Sequence, residues 1–131
     1  MAHIHPNLGK ARQALSEYLA ADPNVLFALL FGSAARGAPD PRDLDVAVMY
    51  TIPPTGWAVV EAMDELSRIA GRDVDLVLLD QAPALLRHHV LRDGSLLNER
   101  DPTGFRDFRE RTMDDYEVYR YLTMGTPGQA A

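Results

Sequence analysis

The sequence has no cysteine among its 131 residues. This absence excludes disulfide bonds and thiolate metal sites, and it is compatible with a reducing compartment. Long apolar runs are absent as well, and the amino-terminal stretch MAHIHPNLGKARQALSEYLAAD has no apolar core of signal-peptide length. Together these absences predict a soluble, cytoplasmic protein with no membrane contact.

Positive charge is scarce. The chain has 13 lysines and arginines against 19 acidic residues, for a net charge of −6. Because binding a polyanion relies on many cationic contacts, we expect no direct nucleic-acid binding. The common phosphate-binding loops, G-x-x-x-x-G-K-[ST] and G-x-G-x-x-G, are also missing. The charge balance does not exclude binding of a small phosphorylated ligand, since one arginine and a metal ion can hold it.

What the chain does contain is apolar sequence in alternating helical and extended patterns. With 131 residues, 47% of them apolar, it can build one domain with a real core, but hardly two. We predict a single domain over residues 1–123 and a frayed tail over 124–131. The predicted helices are 7–21, 55–70, 83–92 and 102–122, and the predicted strands are 24–31, 43–50, 73–80 and a short edge strand at 95–99. This alternation is typical of an α/β or α+β layered domain with a mainly buried sheet.

Two aspartates begin the second predicted strand, DLDVAVMY. Side chains on a strand alternate between its faces, so Asp43 and Asp45 share one face, and Asp73 and Asp75 of DVDLVLLD do the same. If the two strands are neighbours, up to four carboxylates crowd one corner of the sheet, where they repel each other unless a cation offsets their charge. Mg²⁺ prefers carboxylate and phosphate oxygens. The cluster therefore predicts a metal site.

Neither D-x-D nor Gly-Ser is specific by itself, since the chain has a second Gly-Ser at residues 94–95 with no acidic pair after it. The information lies in the conjunction of features. An apolar strand runs into Gly32-Ser33, nine residues separate Ser33 from Asp43, D-L-D enters another apolar strand, and D-V-D-L-V follows one predicted helix later.

With these features the sequence resembles the nucleotidyltransferase superfamily that includes DNA polymerase β, whose signature is an apolar strand, Gly-Ser, a short loop and D-x-D, with a third carboxylate on a later strand. The order FGSAARG, DLDVAV, VDLV over residues 24–80 is most similar to the minimal nucleotidyltransferases of bacteria and archaea, which are commonly antitoxins of HEPN-domain toxins. The resemblance implies a polymerase β-like fold, a mixed β-sheet flanked by helices.

The resemblance also implies two sets of site residues. The catalytic, Mg²⁺-binding carboxylates, with two ions per active site, are Asp43, Asp45 and Asp75. The nucleotide-binding residues are Gly32, Ser33 and Arg36. Asp75 is preferred to Asp73 because it lies deeper in the strand and matches VDLV, although whether Asp73 joins the metal site stays open.

Elementary chemistry fits the roles of the nucleotide-binding residues. Gly32 lets the backbone approach a phosphate, and Ser33 can cap a short helix whose free amides face a triphosphate. Arg36 offers a planar cation that does not titrate. Each residue also has a simpler interpretation: Gly32-Ser33 as a turn, Arg36 as a surface residue and Asp73 as a solvated strand start.

The implied activity is transfer of AMP from ATP, with release of pyrophosphate, to a hydroxyl group, specifically a tyrosine of a cognate HEPN toxin. The chain would thereby act as an antitoxin in complex with that toxin. Two alternatives stay open. One is a non-catalytic antitoxin that neutralises its partner by occlusion. The other is a small-molecule nucleotidyltransferase, although such relatives generally need more sequence to build an acceptor pocket.

Overall fold

The computed structural model describes residues 7–35, 37, 41 and 43–125. The helices are α1 (Leu8–Ala21), α2 (Trp57–Ala70), α3 (Ala84–Asp93) and α4 (Pro102–Met124). The strands are β1 (Val25–Phe31), β2 (Asp43–Tyr50), β3 (Asp73–Leu78) and β4 (Ser95–Glu99). All eight predicted elements are confirmed, and no end lies more than two residues from its predicted position. In the described ranges, no helix is both long and apolar enough to cross a membrane.

The strands form one mixed sheet in the order β3-β2-β1-β4. β1 is antiparallel to both β2 and β4, whereas β2 and β3 are parallel. A parallel pair needs a crossover connection, which α2 supplies between β2 and β3. The order confirms β4 as an edge strand and makes β2 and β3 the neighbours that the acidic cluster requires.

Apolar cores cover the sheet on both faces. The first core packs beneath α1 and α2 and includes Leu15, Leu19, Leu44, Val46 and Leu66. The second packs beneath α3 and α4 and includes Phe27, Leu29, Ala47, Val90 and Phe108. Because Asp43 and Asp45 have the parity of Ala47, both lie on the α3–α4 side of the sheet.

Local signals set the helix ends. The Asn7 side chain caps α1 by accepting a hydrogen bond from the Lys10 amide at 2.8 Å. Gly71 ends α2 in the left-handed conformation, with φ of 71° and its amide donating to the Ser67 carbonyl at 2.9 Å. Asp101 caps α4 by accepting from the Gly104 amide at 3.0 Å.

The second half of α4 is exposed, with Val118, Tyr121 and Leu122 at 57%, 59% and 75% exposure. Helices α3 and α4 have 10 and 23 residues, about 15 and 35 Å in length. Because α3 covers less than half of α4, the terminal turns have no facing helix there. The predicted tail, 124–131, overlaps this helix by one residue, since Met124 is the last residue of α4. Residues 126–131 lie outside the described residues.

Candidate active site

The register of β2 and β3 brings the predicted carboxylates together. Asp43 is paired with Asp73, and Asp45 with Asp75, in the parallel ladder. Residues paired in this way project from the same face of the sheet, and neighbouring strands lie about 4.8 Å apart. The backbone therefore places the Asp45 and Asp75 side chains next to each other, with Asp43 and Asp73 one step further along the same corner.

This corner of the sheet is open to solvent. Asp43, Asp73 and Asp75 are exposed and Asp45 is half-buried. Helices α3 and α4, which cover this face, both pack against β1, and the carboxylates stand on β2 and β3. An incoming ligand can reach the four oxygen-rich side chains without displacing either helix.

Gly32 lies directly against the half-buried carboxylate. Phe31, the last residue of β1, is paired with Asp45, so the chain turns away from the sheet beside that aspartate. Gly32 has φ of 76°, and a Cβ atom placed on it would lie 2.2 Å from Asp45 Oδ2. Both the backbone conformation and the lack of space require glycine here. The bare backbone of Gly32 thus borders the carboxylates, and the exposed Ser33 follows.

The predicted short helix at Ser33 is wrong for the residues that can be described. Residues 32–35 form turns, and the Gly37 amide donates to the Ala34 carbonyl at 3.2 Å. Gly32 and Gly37 both have positive φ, and the residues between them are too few for a regular helix. Any anion held by this loop would meet turn amides. Arg36, the predicted phosphate contact, lies outside the described residues.

Two hydrogen bonds that the sequence did not reveal hold β3 in position. Arg72 Nη1 donates to the Pro41 carbonyl at 2.7 Å, which joins the segment before Asp43 to the residue before Asp73. Ser67 Oγ accepts from the Val74 amide at 2.9 Å and ties β3 to α2. These contacts fix the starts of both acidic strands. Only the position of Arg72, immediately before D-V-D, could have hinted at this positioning role.

The arrangement of the carboxylates suits a cation that binds together with a phosphorylated substrate better than a permanently bound metal ion. Over the described residues, no group of three or more His, Cys, Asp or Glu side chains is arranged to hold a metal ion. Mg²⁺ commonly takes only one or two carboxylates and completes its shell with substrate phosphates and water. Hard oxygen donors beside the open backbone of Gly32 match that mode of binding.

The two adjacent histidines, His88 and His89, lie on α3. His88 stacks on Tyr116 of α4, with ring centroids 3.7 Å apart and planes within 2°. Burial, followed by the nearby Arg92, lowers the pKa of His88. Packing between α3 and α4 is therefore sufficient to explain why a histidine stands at position 88, and no role as a ligand is needed.

Several known proteins are similar to this chain in sequence and fold. Protein adenylyltransferase MntA of Aphanizomenon flos-aquae (strain 2012/KM1/D3) is 27% identical over 119 residues, which are 82% of this chain and 79% of the relative. A crystal structure of a toxin–antitoxin with AMP-PNP matches with a TM-score of 0.74 and 25% identity, over 91% of this chain and 94% of that one. A complex of the tri-AMPylated Shewanella oneidensis HEPN toxin with MNT antitoxin shares the fold, with a TM-score of 0.71 and 23% identity over 86% of this chain and 92% of that one.

The sequence model of one family, described as Polymerase beta, Nucleotidyltransferase, matches residues 13–103. That range contains all four strands, the Gly-Ser turn and the paired aspartates. With most of the chain matched and the acidic strands in register, this protein belongs to the polymerase β nucleotidyltransferase family.

Proposed function

We propose that this protein transfers AMP from ATP to a tyrosine hydroxyl of a cognate HEPN toxin and so acts as its antitoxin. The observation that carries the proposal is the parallel register of β2 and β3, which pairs Asp45 with Asp75 beside Gly32. Carboxylates on adjacent strands next to an accessible backbone suit a triphosphate bound through Mg²⁺.

Each residue has a distinct task in the proposed reaction. The backbone at Gly32 and Ser33 would receive the triphosphate, with Arg36 as a further phosphate contact. Asp43 and Asp45 would hold Mg²⁺ against the phosphates, and Asp75 would complete a second ion position next to the acceptor. When bound, two such ions stabilise the attacking and leaving oxygens of an in-line displacement.

The bond changes follow from that arrangement. The acceptor oxygen forms a bond to the α-phosphorus, while the bond from that phosphorus to the pyrophosphate oxygen breaks. Asp75 would take the proton that the tyrosine hydroxyl loses. The products are AMP-tyrosine and pyrophosphate, and the protein is unchanged and free to react again.

Similar proteins support the choice of nucleotide and acceptor. The 27% identical relative is a protein adenylyltransferase, and the toxin–antitoxin structure at 25% identity contains AMP-PNP. A HEPN toxin is the acceptor class to test first, because the sequence resembles HEPN-associated antitoxins and a neighbour of the same fold is bound to a tri-AMPylated HEPN toxin.

Intact-mass spectrometry tests the proposal. The protein is incubated with ATP, Mg²⁺ and its cognate HEPN protein, and the partner should gain one or more AMP units. Asp43→Asn combined with Asp45→Asn should abolish the gain, because the nucleotide-bound ion loses both carboxylates. Asp64→Asn with Asp80→Asn changes charge equally at exposed positions outside the acidic corner and should preserve it. A folded complex that yields no adduct at saturating ATP would refute the chemistry.

One observation favours a second candidate, neutralisation by occlusion. The exposed apolar side chains of α4, including Val118, Tyr121 and Leu122, offer a surface that a partner could cover without any reaction. The retained carboxylate cluster favours chemistry over occlusion, because an inactive site gains nothing from mutually repelling charges.

A further inference from the structure

A cavity lies at the other end of the sheet from the carboxylates. It has a volume of about 250 Å³ and is lined by residues of α1, α2 and the segment that follows β2. Tyr50, the last residue of β2, forms part of its wall. Tyr50 and Asp43 are the two ends of β2, seven residue steps apart along an extended strand, a distance of about 23 Å. The cavity is therefore separate from the proposed site of AMP transfer.

Hydrogen bonds hold one wall of the cavity in place. Asn24 Nδ2 donates to the Ile52 carbonyl, and Asn24 Oδ1 accepts from the Ile52 amide, both at 2.8 Å. The Thr51 amide adds a bond of 2.8 Å to the Asn24 carbonyl. These bonds attach the segment after β2 to the start of β1. A ligand would consequently meet a preformed wall and would not have to order it.

Polar groups with unused hydrogen-bonding capacity line this cavity. Asp22 Oδ1 accepts from the Asn24 amide at 2.9 Å, whereas its second oxygen has no partner within the described part of the chain. The hydroxyl groups of Tyr18 and Tyr50, which also line the cavity, have no hydrogen bond to any described residue. Burial, with a contribution from Asp22, raises the pKa of Tyr50 to about 12, so the phenol stays neutral at physiological pH.

The charge around the cavity is negative. Asp22 contributes its carboxylate, and Glu65 lies near enough to raise the pKa of Tyr18, after burial as the main cause. Arg68 is the cation acting on Tyr18, and an ion pair with Glu65 already engages it. The Asp22 carboxylate lines the same cavity as the two tyrosines and forms no ion pair with a described residue. Aromatic faces also attract cations.

The rim of the cavity contains one exposed apolar side chain, Ile52, and a second exposed apolar residue, Trp57, follows five residues later in the chain. Ile52 is 74% exposed and lines the cavity, while Trp57, three residues after the lining residue Pro54, is 73% exposed. A free metal ion or a small amine would leave such a rim uncovered. A side chain on a protein surface would cover it, because residues flanking the cation would lie against Ile52.

We propose that this cavity binds a basic side chain, with arginine preferred, presented by a protein partner. A guanidinium group can stack on a tyrosine ring and donate to the free oxygen of Asp22, and its apolar stem suits the walls formed by Leu19 and Leu66. The phenol oxygens of Tyr18 and Tyr50 supply further acceptors.

Peptide binding to the full-length protein tests this inference. The probes are acetyl-Leu-Arg-Leu-amide and the same peptide with citrulline, which has nearly the shape of arginine without its charge. Trp57 is the only tryptophan in the chain, so its fluorescence reports binding, and NMR shifts of the Asn24 and Ile52 amides locate it. We expect the arginine peptide to bind at least about tenfold more tightly than the citrulline peptide, as a charge-assisted hydrogen bond predicts.

Two variants and a free cation complete the test. Asp22→Asn keeps an oxygen that can accept from the Asn24 amide, so the turn should persist while the preference for arginine is lost. Asp64→Asn removes an exposed charge of α2 outside the cavity lining and should keep the preference. Equal binding of both peptides, or a preference that survives Asp22→Asn, would overturn the inference. Propylguanidinium binding as tightly as the peptide would overturn the assignment to a protein partner.

Discussion

At the scale of single residues, a comparison of Gly32 with Gly37 distinguishes the effect of backbone strain from the effect of steric contact with Asp45. Gly32 and Gly37 have φ of 76° and 86°, and only at Gly32 would a Cβ atom overlap Asp45, since no atom of the described residues lies within 4 Å of a Cβ on Gly37. Alanine at either position should lower the free energy of unfolding by about 1–2 kcal/mol, measured by urea denaturation. Because displacing Asp45 disturbs the reacting geometry, Gly32→Ala should also slow AMP transfer by about 100-fold.

Gly37→Ala is the matched control for that experiment. It introduces the same type of backbone strain without the overlap with Asp45. AMP transfer should therefore slow by less than about tenfold, which is less than the loss expected when a reacting group is misplaced. Equal losses of activity in the two variants would mean that loop strain, and not the contact with Asp45, controls the reaction.

Asp73 and Asp75 provide a second matched pair, because both are exposed and both project from the same face of β3. Asp75 is paired with Asp45, and we assign the acceptor proton to it. Asp75→Asn should therefore reduce kcat by at least about 100-fold, whereas Asp73→Asn should cost less than about tenfold, judged by the usual contribution of a general base. Quantitative mass spectrometry of the partner measures both rates. Similar losses would place Asp73 in the metal site as well.

Sequence parity predicted which face the aspartates share, because the alternation of a strand is a local property. It did not predict that Gly32 would press against Asp45, since that contact depends on the antiparallel pairing of Phe31 with Asp45. The bond from Arg72 to the Pro41 carbonyl was equally hidden, because it joins loops 31 residues apart in the chain. The sequence therefore predicted which aspartates form the acidic corner, whereas the contacts that hold them in place depend on the tertiary structure.

At the scale of elements, His88 makes the contact between α3 and α4 sensitive to pH. Burial lowers its pKa, the cations Arg92, His89 and Arg120 add to the effect, and Asp93 opposes it. Since the folded pKa is below the unfolded value of about 6.5, protonation favours the unfolded chain. The stabilising contribution is complete above about pH 6.5 and is lost as the pH falls through the folded pKa.

Urea denaturation between pH 7.5 and 5 measures this effect. The free energy of unfolding should fall with pH in the wild type, and the fall should be smaller in His88→Phe, which keeps a ring against Tyr116 but cannot titrate. His89→Phe removes the neighbouring imidazole and leaves the stacked one in place, so most of the slope should remain. An unchanged slope in His88→Phe would assign the pH dependence to another group.

Element ends were predictable because caps act locally. Asn7 begins α1 and Gly71 ends α2 through bonds within a few residues. The exposure of Tyr121 and Leu122 was not predictable in this way. Burial of these side chains requires a facing element, and α3 is too short to provide one. Sequence periodicity identifies an apolar face without saying what covers it.

At the scale of the whole molecule, the carboxylates and the exposed turns of α4 allow reaction and binding to be separated experimentally. A catalyst is regenerated after each transfer, so a small amount of it should silence excess toxin. An occluding antitoxin must remain bound to every toxin that it neutralises. The amount of antitoxin needed for protection therefore distinguishes the two functions more sharply than protection itself.

The corresponding experiment titrates the toxic activity of the HEPN partner with this protein in the presence of ATP and Mg²⁺. The wild type should silence the toxin at about one antitoxin per twenty toxins, because each molecule can complete many transfers at ordinary enzymatic rates. Asp43→Asn with Asp45→Asn leaves α4 unchanged and should still form the complex in size-exclusion chromatography, but should protect only near equimolar amounts, if at all. A wild type that needs one molecule per toxin, with or without ATP, would identify occlusion as the function, because catalytic turnover would then contribute nothing to protection.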